Sequence, residues 1–187
     1  MKRSALLYHL SFIIFHLARL GVRIFLLSLL QTNIMLNMEV GQKLPEFLGV
    51  DQDGKEWRMS DLKGKKVVLY VYPKDSTPGC TNEACNLRDN YERFLSLGYV
   101  VIGVSIQDAK SHKKFIEKYN LPFPLLCDTE KKLVQQLGVW GEKKMAGRVY
   151  MGVYRTTFIA DEAGVVTEIF GSKQIKVKEH AAQILGS

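Results

Sequence analysis

The stretch KVVLYVYPKDSTPGCTNEACNLRDNYERFLSL, residues 66–97, decides how this chain folds. Val67 to Tyr72 is a run of β-branched, aliphatic and aromatic residues closed by Pro73, and a short apolar run so bounded predicts a strand buried on both faces. The polar segment Lys74 to Gly79 follows. From Cys80 to Leu97, apolar residues recur at Ala84, Leu87, Tyr91, Phe94 and Leu95, the spacing of a helix with one buried face.

Working outward, Val100 to Ser105 is a second buried strand, and Ala109 to Tyr119 a helix stopped by Asn120 and Pro122. Pro124 to Cys127 is a short third strand, and Thr129 to Leu137 a helix closed by Gly138. Tyr154 to Ala160 and Val165 to Phe170 flank the turn Asp161 to Gly164 as a hairpin, and Lys176 to Leu185 is a last helix. Upstream, Asp51 to Lys55 is a turn between short extended pieces. Strands alternating with helices, then a hairpin, predict an α/β domain whose central mixed sheet is flanked by helices on both faces. A thioredoxin-like fold satisfies that order, as do others.

The chain has 187 residues, 47% hydrophobic and 24% charged, which suits one globular core. Its net charge of +7 is concentrated at the start, because residues 1–37 hold Lys2, Arg3, Arg19 and Arg23 and no acidic residue. The remainder carries 22 basic against 19 acidic residues, a balance of +3. With Lys and Glu interleaved along the helices, that is a solvated surface and not a nucleic-acid face. Residues 1–37 read as a separate apolar and basic extension, and residues 38–187, from Met38, as the domain. The extension is too interrupted by charge for a clean span of about 20 apolar residues. An upstream extension, a membrane-associated leader and an ordered segment all remain open for it, and a membrane partner follows only from the second.

Three cysteines are too few, and odd in number, to staple a secreted fold. Cys127, alone in the apolar run from Phe123, reads as a small core residue. Cys80 and Cys85 stand close together and differ in kind. Thr77 is a good N-cap, Pro78 suits the first helical position, and Cys80 then falls in the first turn. Free N–H groups and the positive end of the helix dipole there favour a thiolate. Arg155, in a segment otherwise fit for burial, needs an anionic partner, and a thiolate would serve.

The pattern P-x-x-x-T-x-x-C after a strand, here Pro73 to Cys80, resembles the active-site motif of peroxiredoxins. Its continuation from Thr77 to Cys85 is similar to the bacterioferritin-comigratory, or Q-type, subfamily, and the similarity runs from about Val40 to the C-terminus. The resemblance implies a thioredoxin fold and a thiol-dependent peroxidase without a cofactor or metal. By it, Cys80 is the nucleophile, Pro73 shields the site, Thr77 orients the hydroperoxide, Arg155 completes the pocket and Cys85 is the resolving thiol. It also implies thioredoxin or a similar dithiol as reductant, and a monomer. The expected compartment is a reducing cytoplasm, where a labile dithiol can be recycled, with membrane or export left open by residues 1–37.

Spacing constrains the resolving step. Five residues along a helix rise about 7.5 Å and put two Cα atoms roughly 8–9 Å apart on different faces. A disulfide tolerates at most about 6.8 Å, so the first turns of that helix must unwind before Cys80 meets Cys85. Two rival readings are a disulfide oxidoreductase, which would use C-x-x-C where four residues intervene here, and a zinc site, which would need a second ligand pair. His112 reads as a surface residue at an exposed helix start, Trp57, Trp140 and Tyr150 as packing or loop anchors, and Glu142 to Lys144 with Arg148 as a solvated loop.

Overall fold

The computed structural model describes residues 37–145 and 147–186, so the expectation for residues 1–37 lies, but for Asn37, outside them. Among the described residues no helix is long and apolar enough to cross a membrane. The strands are β1 (Phe47–Val50), β2 (Glu56–Arg58), β3 (Lys66–Val71), β4 (Tyr99–Ser105), β5 (Leu125–Cys127), β6 (Trp140–Met145), β7 (Arg148–Val153), β8 (Thr156–Ala160) and β9 (Val166–Phe170). The helices are α1 (Pro78–Asp89), α2 (Tyr91–Ser96), α3 (Ala109–Tyr119), α4 (Lys132–Gln136) and α5 (His180–Leu185).

Five strands form the central sheet in the order β5-β4-β3-β8-β9. β3 runs parallel to β4 and antiparallel to β8, which makes the sheet mixed, as the alternation of elements required. β3 is central, and every residue from Val67 to Val71 is buried. Because side chains alternate across a strand, Val67, Leu69 and Val71 enter one apolar layer and Val68 and Tyr70, with Tyr72 beyond, enter the other. The first layer receives Leu133 and Val134 of α4 and the N-terminal Met38, Leu44 and Leu48. The second receives Ala84 and Leu87 of α1, Phe94 of α2, Phe115 of α3, and Ala181 and Ile184 of α5. Helices thus cover both faces.

Local chemistry explains the boundaries. α3 starts where the Asp108 carboxylate accepts from the Ser111 N–H at 2.8 Å and stops at Asn120, which takes up the left-handed conformation (φ 51°). The turn between β1 and β2 is organised by buried Asp51, whose carboxylate accepts from the N–H groups of Asp53 and Lys55 and from the Trp57 indole. The single helix expected over residues 80–97 is two helices. Asn90 breaks it, its side chain turned back to donate to the Asn86 carbonyl at 2.8 Å, the local competition that makes Asn a poor interior helix residue.

Other expectations shift similarly. The fourth helix is confined to Lys132–Gln136, the last begins at His180, and the strand expected from Tyr154 begins at Thr156. The solvated loop expected over Glu142 to Lys144 is instead a strand. β6 pairs antiparallel with β7 as a ribbon apart from the main sheet, with Gly147 (φ 77°) in the connection. Its exposed Val149, Tyr150 and Met151 show why no buried alternation marked it, and Tyr150 is not a packing anchor.

Gly103, in the middle of β4, has a steric reason to lack a side chain. A Cβ there would meet Leu125 at 2.5 Å and the Tyr70 ring at 2.8 Å, both fully buried. We expect Gly103→Ala to lower unfolding free energy by about 1–3 kcal/mol through overpacking, measured by urea denaturation; wild-type stability would show that the Tyr70 ring moves aside freely.

Candidate active site

The buried strand β3 carries the chain into the interior, and Tyr72 and Pro73 deliver it to the loop ahead of α1. The next residues turn sharply, since Ser76 holds a left-handed backbone (φ 56°) that non-glycine residues rarely adopt. Thr77 then takes the N-cap position with extended backbone, and Pro78 opens α1. The Thr77 hydroxyl caps no N–H. It donates to the Lys74 carbonyl at 3.1 Å, so the side chain ties the loop and leaves its oxygen lone pairs available.

Cys80 lies in the first turn of α1 and is 2% exposed. Arg155 reaches it from the link between β7 and β8, not from within a strand, and its Nη2 donates to Cys80 Sγ at 3.2 Å. Gly79 permits the approach, because a Cβ there would stand 3.3 Å from that same Nη2. The other nitrogen, Nη1, donates to Glu83, one turn further along α1 and fully buried. Burial pushes the Glu83 carboxyl up to about 7 although Arg155 pulls it down. One cation therefore faces two acids in a dry setting.

Sequence reasoning missed Glu83, although a signal existed. It stands three residues after Cys80 and four before Leu87, on the face that also carries Ala84. A carboxylate on that stripe demands a buried cation. Behind it lies His180, also fully buried, whose Nε2 is 2.8 Å from the Thr157 hydroxyl and 3.8 Å from Glu83. Burial pushes its pKa down to about 4.

The structure brings Cys80 and Arg155 together and keeps Pro73 and Thr77 in the adjoining loop. Cys85 is not part of that group. It is half-buried in the same unbroken α1, five residues on. The reading of His112 as a surface residue is overturned, for it is 0% exposed. It shares its helix face with Phe115 and Ile116, a register hidden by the lysines around it. Lys143, expected in a solvated loop, is half-buried and donates to the Val153 carbonyl at 3.0 Å. Cys127 is only half-buried, on the wall of a cleft of about 440 Å³ between β1 and α4 that neither Cys80 nor Arg155 lines. Burial and the nearby Asp51 push its thiol up to about 11.

The AhpC/TSA family description matches residues 40–169. The chain belongs to the peroxiredoxins of that family. It is 45% identical over 151 residues to the putative peroxiredoxin Bcp of Coxiella burnetii, covering 81% of this chain and 99% of that one. To the peroxiredoxin Bcp of Bacillus subtilis it is 47% identical over 150 residues, covering 80% and 94%. Among solved structures, peroxiredoxin Q of Xanthomonas campestris superposes with a TM-score of 0.71 at 31% identity, covering 80% of this chain and 96% of that one. The peroxidoxin BcpB of Mycobacterium tuberculosis gives 0.70 at 33%, covering 80% and 95%. This peroxiredoxin is therefore a thiol peroxidase with a thioredoxin fold.

The two buried acid–base groups beside Arg155 act oppositely on stability. His180 binds its proton less tightly folded than unfolded, so it makes stability rise with pH from about 4 to 6.5. Glu83 binds its proton more tightly folded, so it makes stability fall from 4.5 to about 7. In His180→Asn only the second remains. Urea unfolding of that variant should show stability dropping between pH 4.5 and 6.5 by up to about 1 kcal/mol per pH unit more than in wild type, and parallel profiles would mean that His180 charges freely inside the fold.

Proposed function

We propose that Cys80 is the peroxidatic nucleophile, that Arg155, Thr77 and Pro73 form its pocket, and that Cys85 resolves the oxidised product. The observation that carries this reading is the Arg155 guanidinium at 3.2 Å from Cys80 Sγ. It favours the thiolate and leaves a donor beside the oxygen on which charge develops. The Thr77 hydroxyl has given its hydrogen to Lys74, so it accepts the hydrogen of the incoming hydroperoxide. Pro73, half-buried, limits water at the mouth.

In the first step the Cys80 thiolate attacks one peroxide oxygen. The S–O bond forms, the O–O bond breaks, and the departing hydroxide or alkoxide takes up a proton, leaving Cys80 as sulfenic acid and releasing water or alcohol. In the second step Cys85 attacks the Cys80 sulfur. The S–S bond forms and the S–O bond breaks, and hydroxide leaves as water with the Cys85 proton. An external dithiol of the thioredoxin type then reduces the disulfide and is itself oxidised. Both sulfurs lie in one continuous helix, so the second step requires the first turns of α1 to open. The reading further includes a monomer working in a reducing cytoplasm, with the domain beginning at Met38 and residues 1–37 as an extension to it.

The test is peroxide consumption by the full chain with thioredoxin, thioredoxin reductase and NADPH. Cys80→Ser should abolish turnover, and Cys85→Ser should complete one oxidation without recycling. Undiminished turnover by Cys80→Ser would overturn the assignment. Arg155→Met should lower the second-order rate with peroxide by about 10²–10³, the usual scale for losing one such donor, and a loss under threefold would remove Arg155 from the pocket. Amide exchange over Cys80 to Asn86 should rise on oxidation, whereas equal protection in both states would contradict the opening of α1.

A further inference from the structure

A second buried polar group lies on the other side of the loop that leads to Cys80. Tyr72 follows β3, Asp75 sits in the loop and His112 projects from α3, with exposures of 1%, 6% and 0%. Asp75 gathers donors. The Tyr72 hydroxyl donates to its Oδ1 at 2.7 Å and the Ser111 hydroxyl to its Oδ2 at 2.6 Å. Burial pushes the Asp75 carboxyl up, but hydrogen bonds from His112 and Ser111 outweigh it and hold the group below the ordinary carboxylate value. Asp75 is therefore an acceptor only.

His112 has an acceptor at each ring nitrogen. Nδ1 lies 2.9 Å from Asp75 Oδ2, and Nε2 lies 3.1 Å from the Leu126 carbonyl oxygen at the edge of the sheet. A bare nitrogen at either place would set its lone pair against an oxygen lone pair in a dry interior, a costly arrangement. The Tyr72 hydroxyl, 3.4 Å from Nδ1, offers no rescue, because its one hydrogen is on Asp75. Other titratable groups close by are Asp108 at the start of α3, Cys127 on β5 and Asp51 after β1, while the charged residues of α3 itself, Lys110, Lys113, Lys114, Glu117 and Lys118, are exposed, as is Lys74 of the loop. Among the described residues, only Tyr72 and Asp75 of this set come within hydrogen-bond reach of the ring.

We infer that His112 is held as an imidazolium, and that the Asp75–His112 ion pair is a positioning device that pins the loop ahead of Cys80 to α3 and β5. The inference rests on the peroxidase reading above for its kinetic consequence, but not for the state of the ring. The loop has reason to need a pin, since Ser76, the next residue, stands at φ 56°, a conformation that is unfavourable for a non-glycine residue and persists only when surroundings impose it. With the pair intact the loop keeps Cys80 against Arg155. Without its charge the loop relaxes, and Cys80 spends less time in the geometry that attacks peroxide. Closure onto Cys85 requires Cys80 to leave that geometry, so it does not slow. Asp75 and His112 therefore set the ratio of the two rates while touching neither sulfur.

Two measurements test this. In the full chain labelled with ¹⁵N at histidine, and with His112 assigned by loss of its signals in His112→Gln, both ring nitrogens should carry hydrogen at neutral pH. One bare nitrogen overturns the inference whatever the enzyme does. In rapid mixing followed by tryptophan fluorescence, Asp75→Asn, which keeps the shape and permits a neutral ring, should oxidise about tenfold more slowly with peroxide, a change of about 1.4 kcal/mol in barrier, with disulfide closure as fast as wild type or faster. Both phases unchanged, or both slowed by one factor, overturn the positioning role. If wild type itself shows no Cys80-dependent phases, the peroxidase reading fails instead, and the ring result stands apart. Should Asp75→Asn fail to fold, the nitrogen measurement on wild type alone decides.

Discussion

A single guanidinium holds the functional end of this molecule together. Arg155 is inside the fold, and its two terminal nitrogens are committed to Cys80 and Glu83, residues one turn apart on α1. A buried cation is expensive unless paired, so the position of Arg155 and the docking of the helix start determine one another. The Cys80 sulfur is thus placed by the same contacts that seat the helix on the sheet. Glu83 shares the cation with the sulfur, and burial raises its affinity for a proton although Arg155 pulls the other way.

The rest of α1 is anchored differently. Its far half is seated by Ala84 and Leu87, both fully buried, and apolar contact of that kind does not depend on the oxidation state of a sulfur. Its near half depends on Arg155 and on the polar ties of the preceding loop, to Lys74 through Thr77 and to α3 through Asp75. The helix is therefore seated by apolar contact at one end and by polar contacts at the other, and the break at Asn90 separates it from α2.

The backbone of the architecture was legible because burial leaves the plainest trace. The five apolar residues of β3, the hairpin around Asp161 to Gly164 and the alternation of strands with helices all follow from where side chains must hide. The β6–β7 ribbon was illegible because it hides almost nothing, and its Lys and Glu residues resemble those of a loop. Cys80, Thr77 and Pro73 were legible through a local motif, and Arg155 through the oddity of a charge in an apolar segment. Glu83, His112 and His180 were not, for one shared reason. Each is a polar residue whose partner lies far along the chain, so its burial is decided by tertiary pairing, and the helical register that marks Glu83 and His112 as inward-facing names no partner.

The third cysteine completes the account of the thiols. Cys127 opens onto a cleft, yet burial and neighbouring carboxylates keep its sulfur protonated far above neutral pH. Because oxidants react with thiolates far faster than with thiols, accessibility alone gives it no share of the oxidising equivalents. The two buried-side sulfurs thus differ in company: Cys127 lies among carboxylates that oppose a negative charge on it, whereas Cys80 lies against the Arg155 guanidinium.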